Sequence, residues 1–331
     1  MKSYAKEEAV WKMNTFGASG QPFVFIIDYQ QEKIFLEKTE EVENCEILFD
    51  FNGYTNVSGL FPAERPMEWR VAGESFEAYE LSFRKVLSHL QTGNSYLVNF
   101  TRSTPIQTNL TLKDIFYRAV APYKLWMNEQ FVVFSPEIFV RMQAGKISAY
   151  PMKGTIDASL PDAFQRISND PKEVAEHATI VDLLRNDLSM AAVDVKVDRY
   201  RYIDEVKTNR GMLLQVSSEI SGSLPADWRT EIGTLLFRLL PAGSITGAPK
   251  KKTIEIIAET ENYHRGFYTG VMGYFDGENL DSAVMIRFIE KEDGKLFYKS
   301  GGGITAQSDA KKEYNEMLQK IYVPFTGNLT N

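Results

Sequence analysis

Cysteine is nearly absent from this chain of 331 residues: Cys45 stands alone, so no intramolecular disulfide can form. This favours a reducing compartment, and we predict a cytoplasmic protein. Cys45 also lies in an acidic stretch with no histidine nearby, which argues against a nucleophilic thiol. Histidine is scarce too, and His89, His177 and His264 do not show the spacing of a metal site.

Long hydrophobic runs and clusters of basic residues are also missing. The apolar run Phe23–Ile27 is too short to span a bilayer, and the polar residues 1–11 do not resemble a signal peptide. The net charge is -7 and only residues 250–252 form a basic run, so no nucleic-acid-binding surface is predicted. The composition, 44% hydrophobic and 24% charged, indicates a globular protein with no membrane or nucleic-acid partner.

The patterns that are present predict a mixture of strands and helices. Two apolar runs on either side of residues 28–32 indicate a β-hairpin, and apolar residues at helical spacing over residues 75–90 indicate an amphipathic helix. Asp170 followed by Pro171 is typical of a helix start, and this helix should run to about residue 186.

A lysine between a proline and a glycine is the first candidate for chemistry. In residues 150–155, proline fixes one φ angle and glycine permits a turn, so Lys153 has a defined place after a predicted strand. In a cleft its amine could act as a nucleophile; on the surface it would be an ordinary solvated lysine. Glu137 opens the partner strand of the same predicted hairpin, so both groups can face one cleft. The alternative is a glutamate in a surface turn.

Two predicted helices each contain a pair of glutamates. Glu173 and Glu176 share a stripe of the helix that begins near residue 170, and Glu313 and Glu316 share a face of a helix near the C-terminus. Carboxylate oxygens suit a hard divalent cation such as Mg²⁺, which keeps waters that a ligand can displace. Taken alone, this spacing is more typical of solvated helix faces.

Two glycine-rich segments offer backbone donors to an anion. Residues 240–249 lead into a predicted helix, whose N-terminus favours negative charge. Gly301, Gly302 and Gly303 are predicted to follow a strand and to allow a ligand to approach the backbone closely. Arg287, predicted inside a strand, has a planar guanidinium that matches two carboxylate oxygens. Each glycine group alone is also compatible with a tight turn.

In combination these motifs resemble the chorismate-utilising enzymes, which are the anthranilate, isochorismate, salicylate and aminodeoxychorismate synthases. The similarity covers roughly residues 75–322 and rests on residues 135–137, 151–155, 175–177, 180–187, 243–250, 286–287, 301–304, 313 and 316. It implies an α+β fold, in which two β-sheets pack on one another with helices outside. Residues 1–331 would form one chorismate-binding domain, with 1–74 as its shortened N-terminal part.

Position 153 separates the members of this family. Anthranilate and isochorismate synthases usually have alanine there, whereas aminodeoxychorismate synthase component I has lysine, so this chain is similar to the latter. Leu97 replaces a water-activating lysine of isochorismate and salicylate synthases, and Thr234 falls near a histidine that anthranilate synthases use to eliminate pyruvate. The resemblance implies amination of chorismate, with Lys153 as the nucleophile and Glu137 as the general acid.

The resemblance also implies ligands and partners. Magnesium would be held by two glutamates with two others nearby: Glu176 and Glu316, then Glu173 and Glu313. Substrate contacts would come from Thr246, Arg287, Gly301, Gly302 and Gly303. Ammonia would come from a separate glutamine amidotransferase subunit, and the product, 4-amino-4-deoxychorismate, would serve 4-aminobenzoate and folate synthesis.

Two rival interpretations stay open. Anthranilate synthase component I would release pyruvate and form 2-aminobenzoate, and a non-catalytic subunit would bind chorismate without consuming it. The chain also departs from the family pattern: Ile156 and Asp157 stand where relatives usually have basic residues and proline, and Ser300 replaces the usual alanine. Because the N-terminal part is short, we do not expect tryptophan binding.

Overall fold

A computed structural model describes residues 1–58, 66–208 and 211–325, and for residues 153, 155, 172, 206–208 and 211 it describes the backbone alone. No helix within these ranges is both long enough and apolar enough to cross a membrane. The helices are α1 (Lys6–Ser19), α2 (Phe76–Gln91), α3 (Leu112–Arg118), α4 (Ala163–Asn169), α5 (Pro171–Leu188), α6 (Ile232–Leu239), α7 (Lys250–Thr260) and α8 (Ala310–Gln319).

The strands are distributed along the whole described chain. The first nine are β1 (Lys2–Tyr4), β2 (Phe23–Ile27), β3 (Ile34–Lys38), β4 (Ile47–Phe51), β5 (Tyr54–Thr55), β6 (Trp69–Val71), β7 (Leu97–Thr108), β8 (Tyr123–Met127) and β9 (Phe131–Ser135). The others are β10 (Ile138–Gln143), β11 (Lys146–Ala149), β12 (Met152–Asp157), β13 (Val193–Thr208), β14 (Gly211–Ser223), β15 (Gly247–Ala248), β16 (Val271–Phe275), β17 (Leu280–Val284), β18 (Phe288–Glu292) and β19 (Lys295–Ile304).

These strands form two antiparallel sheets. Sheet A has the order β1-β3-β2-β16-β17-β10-β11-β14-β12, with β13 also paired to β14. Sheet B has the order β15-β7-β19-β18-β9-β8-β4-β5, with β6 also paired to β7. Both sheets combine strands from distant parts of the sequence, so neither can form from one half of the chain.

The alternation of side chains along the strands explains how the sheets pack. In β2, Phe23 and Phe25 belong to an apolar core shared with α1, α5 and α6, whereas Val24 and Ile26 belong to a core shared with Phe49 of sheet B. The outer face of sheet B packs on α2, α3, α7 and α8. The layers therefore run helices, sheet, sheet, helices, which confirms the expected α+β architecture.

Local signals in the sequence located several elements correctly. The predicted hairpin is the β2–β3 pair, and α2 begins directly after Ser75, whose hydroxyl accepts a hydrogen bond from the Ala78 N–H (3.3 Å). Helix α5 begins at Pro171, and the Asp170 carboxylate accepts a hydrogen bond from the Glu173 N–H (3.2 Å). These caps satisfy backbone donors that a helix N-terminus leaves unpaired.

The glycine run lies inside a strand, so the prediction that it follows one is wrong. Strand β19 continues through Gly301, Gly302 and Gly303, and Gly302 pairs with Phe100 of β7. A Cβ at Gly301 would lie 2.2 Å from the carbonyl oxygen of Phe100. Glycine is therefore needed here for close packing of neighbouring strands.

The strand predicted around Arg287 is in fact two strands in different sheets. Strand β17 ends at Val284 in sheet A, and β18 begins at Phe288 in sheet B. Arg287 lies between them with φ +54°, in the left-handed region that residues other than glycine seldom adopt. The chain crosses from one sheet to the other at Arg287, which lines a cavity between the sheets.

Candidate active site

A cavity of about 550 Å³ lies where the two sheets meet. Its wall combines β10 and β12 of sheet A, β19 of sheet B, and one face each of α5 and α8. Five carboxylates contribute to this wall: Glu137, Glu173, Glu176, Glu313 and Glu316. Among the described side chains, three cationic ones also line it: Arg287, Lys299 and Lys320. The fold thus brings together most of the candidate residues that the sequence indicated.

Glu137 is held in the turn between β9 and β10 by contacts on three sides. Its carboxylate Oε1 accepts a hydrogen bond from the Ser244 hydroxyl (2.6 Å). Its backbone N–H donates to the Ser135 hydroxyl (3.1 Å), and its carbonyl accepts from the Val284 N–H (3.0 Å). The carboxyl group therefore has a fixed direction, as a group that transfers a proton to a bound substrate requires.

Replacement of Ser244 tests whether its hydrogen bond to Glu137 contributes to catalysis. We expect Ser244→Ala to lower kcat for chorismate by about tenfold, because a hydrogen bond to a charged group contributes about 1.5–3 kcal/mol. KM should change little if Ser244 acts through Glu137. Steady-state kinetics measure both constants, with Ser189→Ala as the control, since Ser189 is exposed and its hydroxyl donates to the helix carbonyl of Arg185. An unchanged kcat contradicts this role for Ser244.

Lys153 lies on β12, and the residues on either side of it, Met152 and Gly154, line the cavity. The register between β12 and β14 shifts at this point, and Gly154 has φ +71°. A Cβ at Gly154 would lie 2.9 Å from Oε2 of Glu173, so glycine lets α5 approach the strand closely. The Lys153 side chain is outside the described part of the structure, and its role as nucleophile stays a prediction.

The glutamate pairs of α5 and α8 suit Mg²⁺ by their chemistry. The α8 pair lies over the glycine run, because a Cβ at Gly302 would be 3.6 Å from Glu316 Oε1 and 3.8 Å from Glu313 Oε2. Within the described ranges, no three His, Cys, Asp or Glu side chains are clustered closely enough to hold a metal. Mg²⁺ is commonly held by one or two carboxylates plus waters and substrate, so this donor set fits it.

The cationic groups of the cavity differ in the side chains and carbonyl groups that they contact. Lys320 is 2.7 Å from Glu316 and donates to the carbonyl oxygen of Gly301 (2.9 Å). Lys299 is buried and paired with Glu290. Arg287 lies with its guanidinium carbon 5.1 Å from the centre of the Tyr322 ring. Of the three, Arg287 is the one without a described carboxylate partner, which suits the carboxylate-binding role predicted for it.

Thr246 is not among the described residues that line the cavity, in contrast to its predicted contact with substrate. It is fully buried, and its hydroxyl donates to the carbonyl oxygen of Ala242 (2.8 Å). The tight turn Gly243–Ile245 explains the difference, because it directs Ser244 into the cavity and turns Thr246 away from it. Ser244 lines the cavity at this turn, and substrate contact by Thr246 stays a prediction.

Sequence reasoning also missed cavity residues on other elements. Gln215 of β14 and Tyr268, in the segment before β16, both line the cavity. No local motif marks Gln215, since its position depends on the register of β14. Thr234, which was compared with a catalytic histidine, lies on α6 and accepts a hydrogen bond from Asn14 (2.9 Å), away from the cavity wall.

A family model for chorismate-binding enzymes matches residues 5–326 of the chain. The chain belongs to this family. A protein of Haemophilus influenzae, named as an uncharacterized PabA-like protein, is 47% identical over 327 residues, which cover 99% of both chains. Aminodeoxychorismate synthase component 1 of Klebsiella aerogenes is 33% identical over 269 residues, which cover 76% of this chain and 58% of that protein.

A solved structure with the same fold is anthranilate synthase component I from Streptococcus pneumoniae. It superposes with a TM-score of 0.67 at 18% identity, and the match covers 91% of this chain and 79% of the other. At this identity the likeness concerns the fold. The architecture of this chorismate-binding enzyme is thus shared with that protein.

Proposed function

We propose that this chain is component I of an aminodeoxychorismate synthase, which replaces the C4 hydroxyl of chorismate by an amino group. The observation that carries the proposal is Lys153, at the position where other family branches usually have alanine, on a strand whose neighbouring residues line the same cavity as Glu137. A nucleophilic amine and a general acid are the two groups that this substitution requires. The similarity to the Klebsiella aerogenes component 1 supports it.

The charges of the cavity indicate how chorismate would be bound. Chorismate is a dianion, and five glutamates line the cavity, so bare carboxylates would repel it. Arg287 and the backbone of the glycine run would bind the enolpyruvyl carboxylate. Glu176 and Glu316, with Glu173 and Glu313 nearby, would hold Mg²⁺. When bound, this ion supplies the positive charge that neutralises the glutamates and attracts the ring carboxylate.

The chain's own groups then perform two substitutions. The neutral amine of Lys153 forms a bond to C2, the two ring double bonds shift, and the C4 hydroxyl leaves as water with a proton from Glu137. Ammonia next forms a bond to C4, the double bonds shift back, and the bond between C2 and the lysine nitrogen breaks. The new ammonium returns a proton to Glu137, so that both residues regain their starting states.

A separate glutamine amidotransferase subunit would supply the ammonia. Glutamine hydrolysis in such subunits uses a cysteine nucleophile with a nearby base, and the one cysteine of this chain is exposed, with a thiol 3.6 Å from the Glu43 carboxylate. Cys45 is not among the described residues that line the cavity. The product would proceed to 4-aminobenzoate and folate synthesis through a lyase.

Product identification tests the proposal against its rivals. The purified protein is incubated with chorismate, Mg²⁺ and ammonia. The products are separated by liquid chromatography and identified by mass spectrometry. Aminodeoxychorismate without pyruvate supports the proposal. Fluorescent anthranilate with an equal amount of pyruvate identifies an anthranilate synthase, and binding of chorismate without consumption identifies a non-catalytic subunit.

Removal of the divalent cation should stop the reaction. With excess EDTA we expect chorismate consumption to fall by about 10²-fold or more, because loss of the charge that opposes the glutamates removes several kcal/mol of binding and orientation. Restored Mg²⁺ should recover the rate, whereas the same concentration of Na⁺ should not. Full activity in EDTA contradicts the assignment of the four glutamates.

A further inference from the structure

Arg265 is a buried arginine that lies behind the cavity, in the segment between α7 and β16, with 1% of its side chain exposed. Its Nε and Nη2 groups donate to the two oxygens of Glu261, at 2.8 and 2.7 Å. This bidentate geometry gives a strong and directional ion pair. The guanidinium has three further N–H groups, and all three donate hydrogen bonds.

The other acceptors of Arg265 all belong to the cavity wall. Nη2 donates to the carbonyl oxygen of Asn99 (2.6 Å), and Nη1 donates to that of Ile245 (2.9 Å) and to the hydroxyl of Thr269 (3.3 Å). Asn99, Ile245 and Thr269 line the cavity from three different segments of the chain. One guanidinium therefore joins three parts of the wall.

Further hydrogen bonds hold both members of the Arg265–Glu261 pair in place. Glu261 Oε1 accepts hydrogen bonds from the N–H (2.9 Å) and hydroxyl (2.7 Å) of Thr101, on the same strand as Asn99. Lys299 donates to the carbonyl oxygens of His264 (3.3 Å) and Arg265 (3.1 Å). With its carboxylate partner and its backbone held in place, the guanidinium has little freedom to move, so its acceptors are held too.

We propose that Arg265 is a positioning residue for the acid step. By holding the carbonyl of Ile245 it fixes the turn that presents Ser244, and Ser244 in turn orients Glu137 by the 2.6 Å hydrogen bond. A planar guanidinium can reach acceptors in several directions at once, whereas the single nitrogen of a lysine cannot. The inference rests on the proposed function, because it takes Glu137 to be the general acid.

The test is a double-mutant cycle with Ser244. Arg265→Lys keeps the positive charge opposite Glu261 and should lower kcat by about 10²-fold, the cost expected for a displacement of about 1 Å at a reacting group. The dissociation constant for chorismate should change by less than about threefold. In the Ser244→Ala background the same substitution should have a clearly smaller effect, because the link to Glu137 is already broken.

Arg141→Lys is the matched control. Arg141 is also part of a polar network, which is partly buried, with Asp281 (3.1 Å) and Tyr123 (2.9 Å), but these residues are not among those lining the cavity. We expect Arg141→Lys to lower the melting temperature and leave kcat unchanged. A fall in kcat for Arg265→Lys no larger than for this control would overturn the proposal, as would equal effects with and without Ser244.

A second variant tests the proposal in case Arg265→Lys does not fold. Thr269→Ala keeps the Arg265–Glu261 pair and removes one acceptor from the cavity wall, so we expect kcat to fall by about 3- to 10-fold in a folded protein. An unchanged kcat counts against the proposal. All rates are measured as total chorismate consumption, so the Arg265 comparison does not depend on which product forms. A wild-type enzyme that makes anthranilate contradicts the proposed function alone.

Discussion

Lys153→Ala is expected to lower kcat for aminodeoxychorismate formation with ammonia by at least about 10³-fold, since loss of a covalent nucleophile is among the most costly substitutions in an enzyme. Without the amine no bond forms at C2, and ammonia would have to displace the C4 hydroxyl directly. The rate is followed by mass spectrometry of the products. Intact-protein mass spectra during turnover should show a chorismate-derived adduct in the wild type and none in the variant.

The control for this substitution is Lys146→Ala. Lys146 is exposed on β11, the strand that precedes Lys153 along the chain, so its loss removes a lysine amine from the same region without touching the cavity. Its kcat should equal that of the wild type. Our assignment of the nucleophile fails if Lys153→Ala makes aminodeoxychorismate at the wild-type rate.

Glu137→Gln should lower kcat by about 10²- to 10⁴-fold, the usual contribution of a general acid. Glutamine keeps the shape of the side chain and can still accept the hydrogen bond from Ser244, but it has no proton to give to the leaving hydroxyl. Chorismate binding, measured by titration calorimetry, should stay within about threefold of the wild type.

Glu278→Gln serves as the matched substitution on the surface, because Glu278 is exposed in the turn between β16 and β17. It should leave kcat unchanged. If Glu137→Gln retains the wild-type kcat, the proton must come from another group, and the role of Ser244 in orienting the acid falls with it.

The sequence predicted those parts of the molecule that depend on neighbouring residues. The start of α5 follows from Asp170 and Pro171, whose effects are local. Hairpin position and helical spacing singled out Glu137 and the four helix glutamates, and the resemblance gave their expected roles. The fold places all five on one cavity wall. Their chemical roles are still predictions, because position on a wall does not establish what a group does.

What the sequence did not predict depends on contacts between distant residues. Arg287 reaches the cavity because the chain changes sheets there, and no property of residues 282–289 alone reveals that crossing. The orientation of Ser244 and Thr246 is decided by one tight turn, whose Ile245 carbonyl accepts a hydrogen bond from Arg265, 20 residues further along the chain. Gln215 lines the cavity because of strand register, which is set by the whole sheet.

The pairing of β19 with β7 also determines when this protein can become complete during its synthesis. Residues 296–304 pair with residues 98–106 in the interior of sheet B, so this edge of β7 stays unpaired until residues 296–304 have also left the ribosome. Until then β7 has an open edge that can pair with other chains. The glycine run that borders the cavity is thus also the segment that ends this vulnerable period.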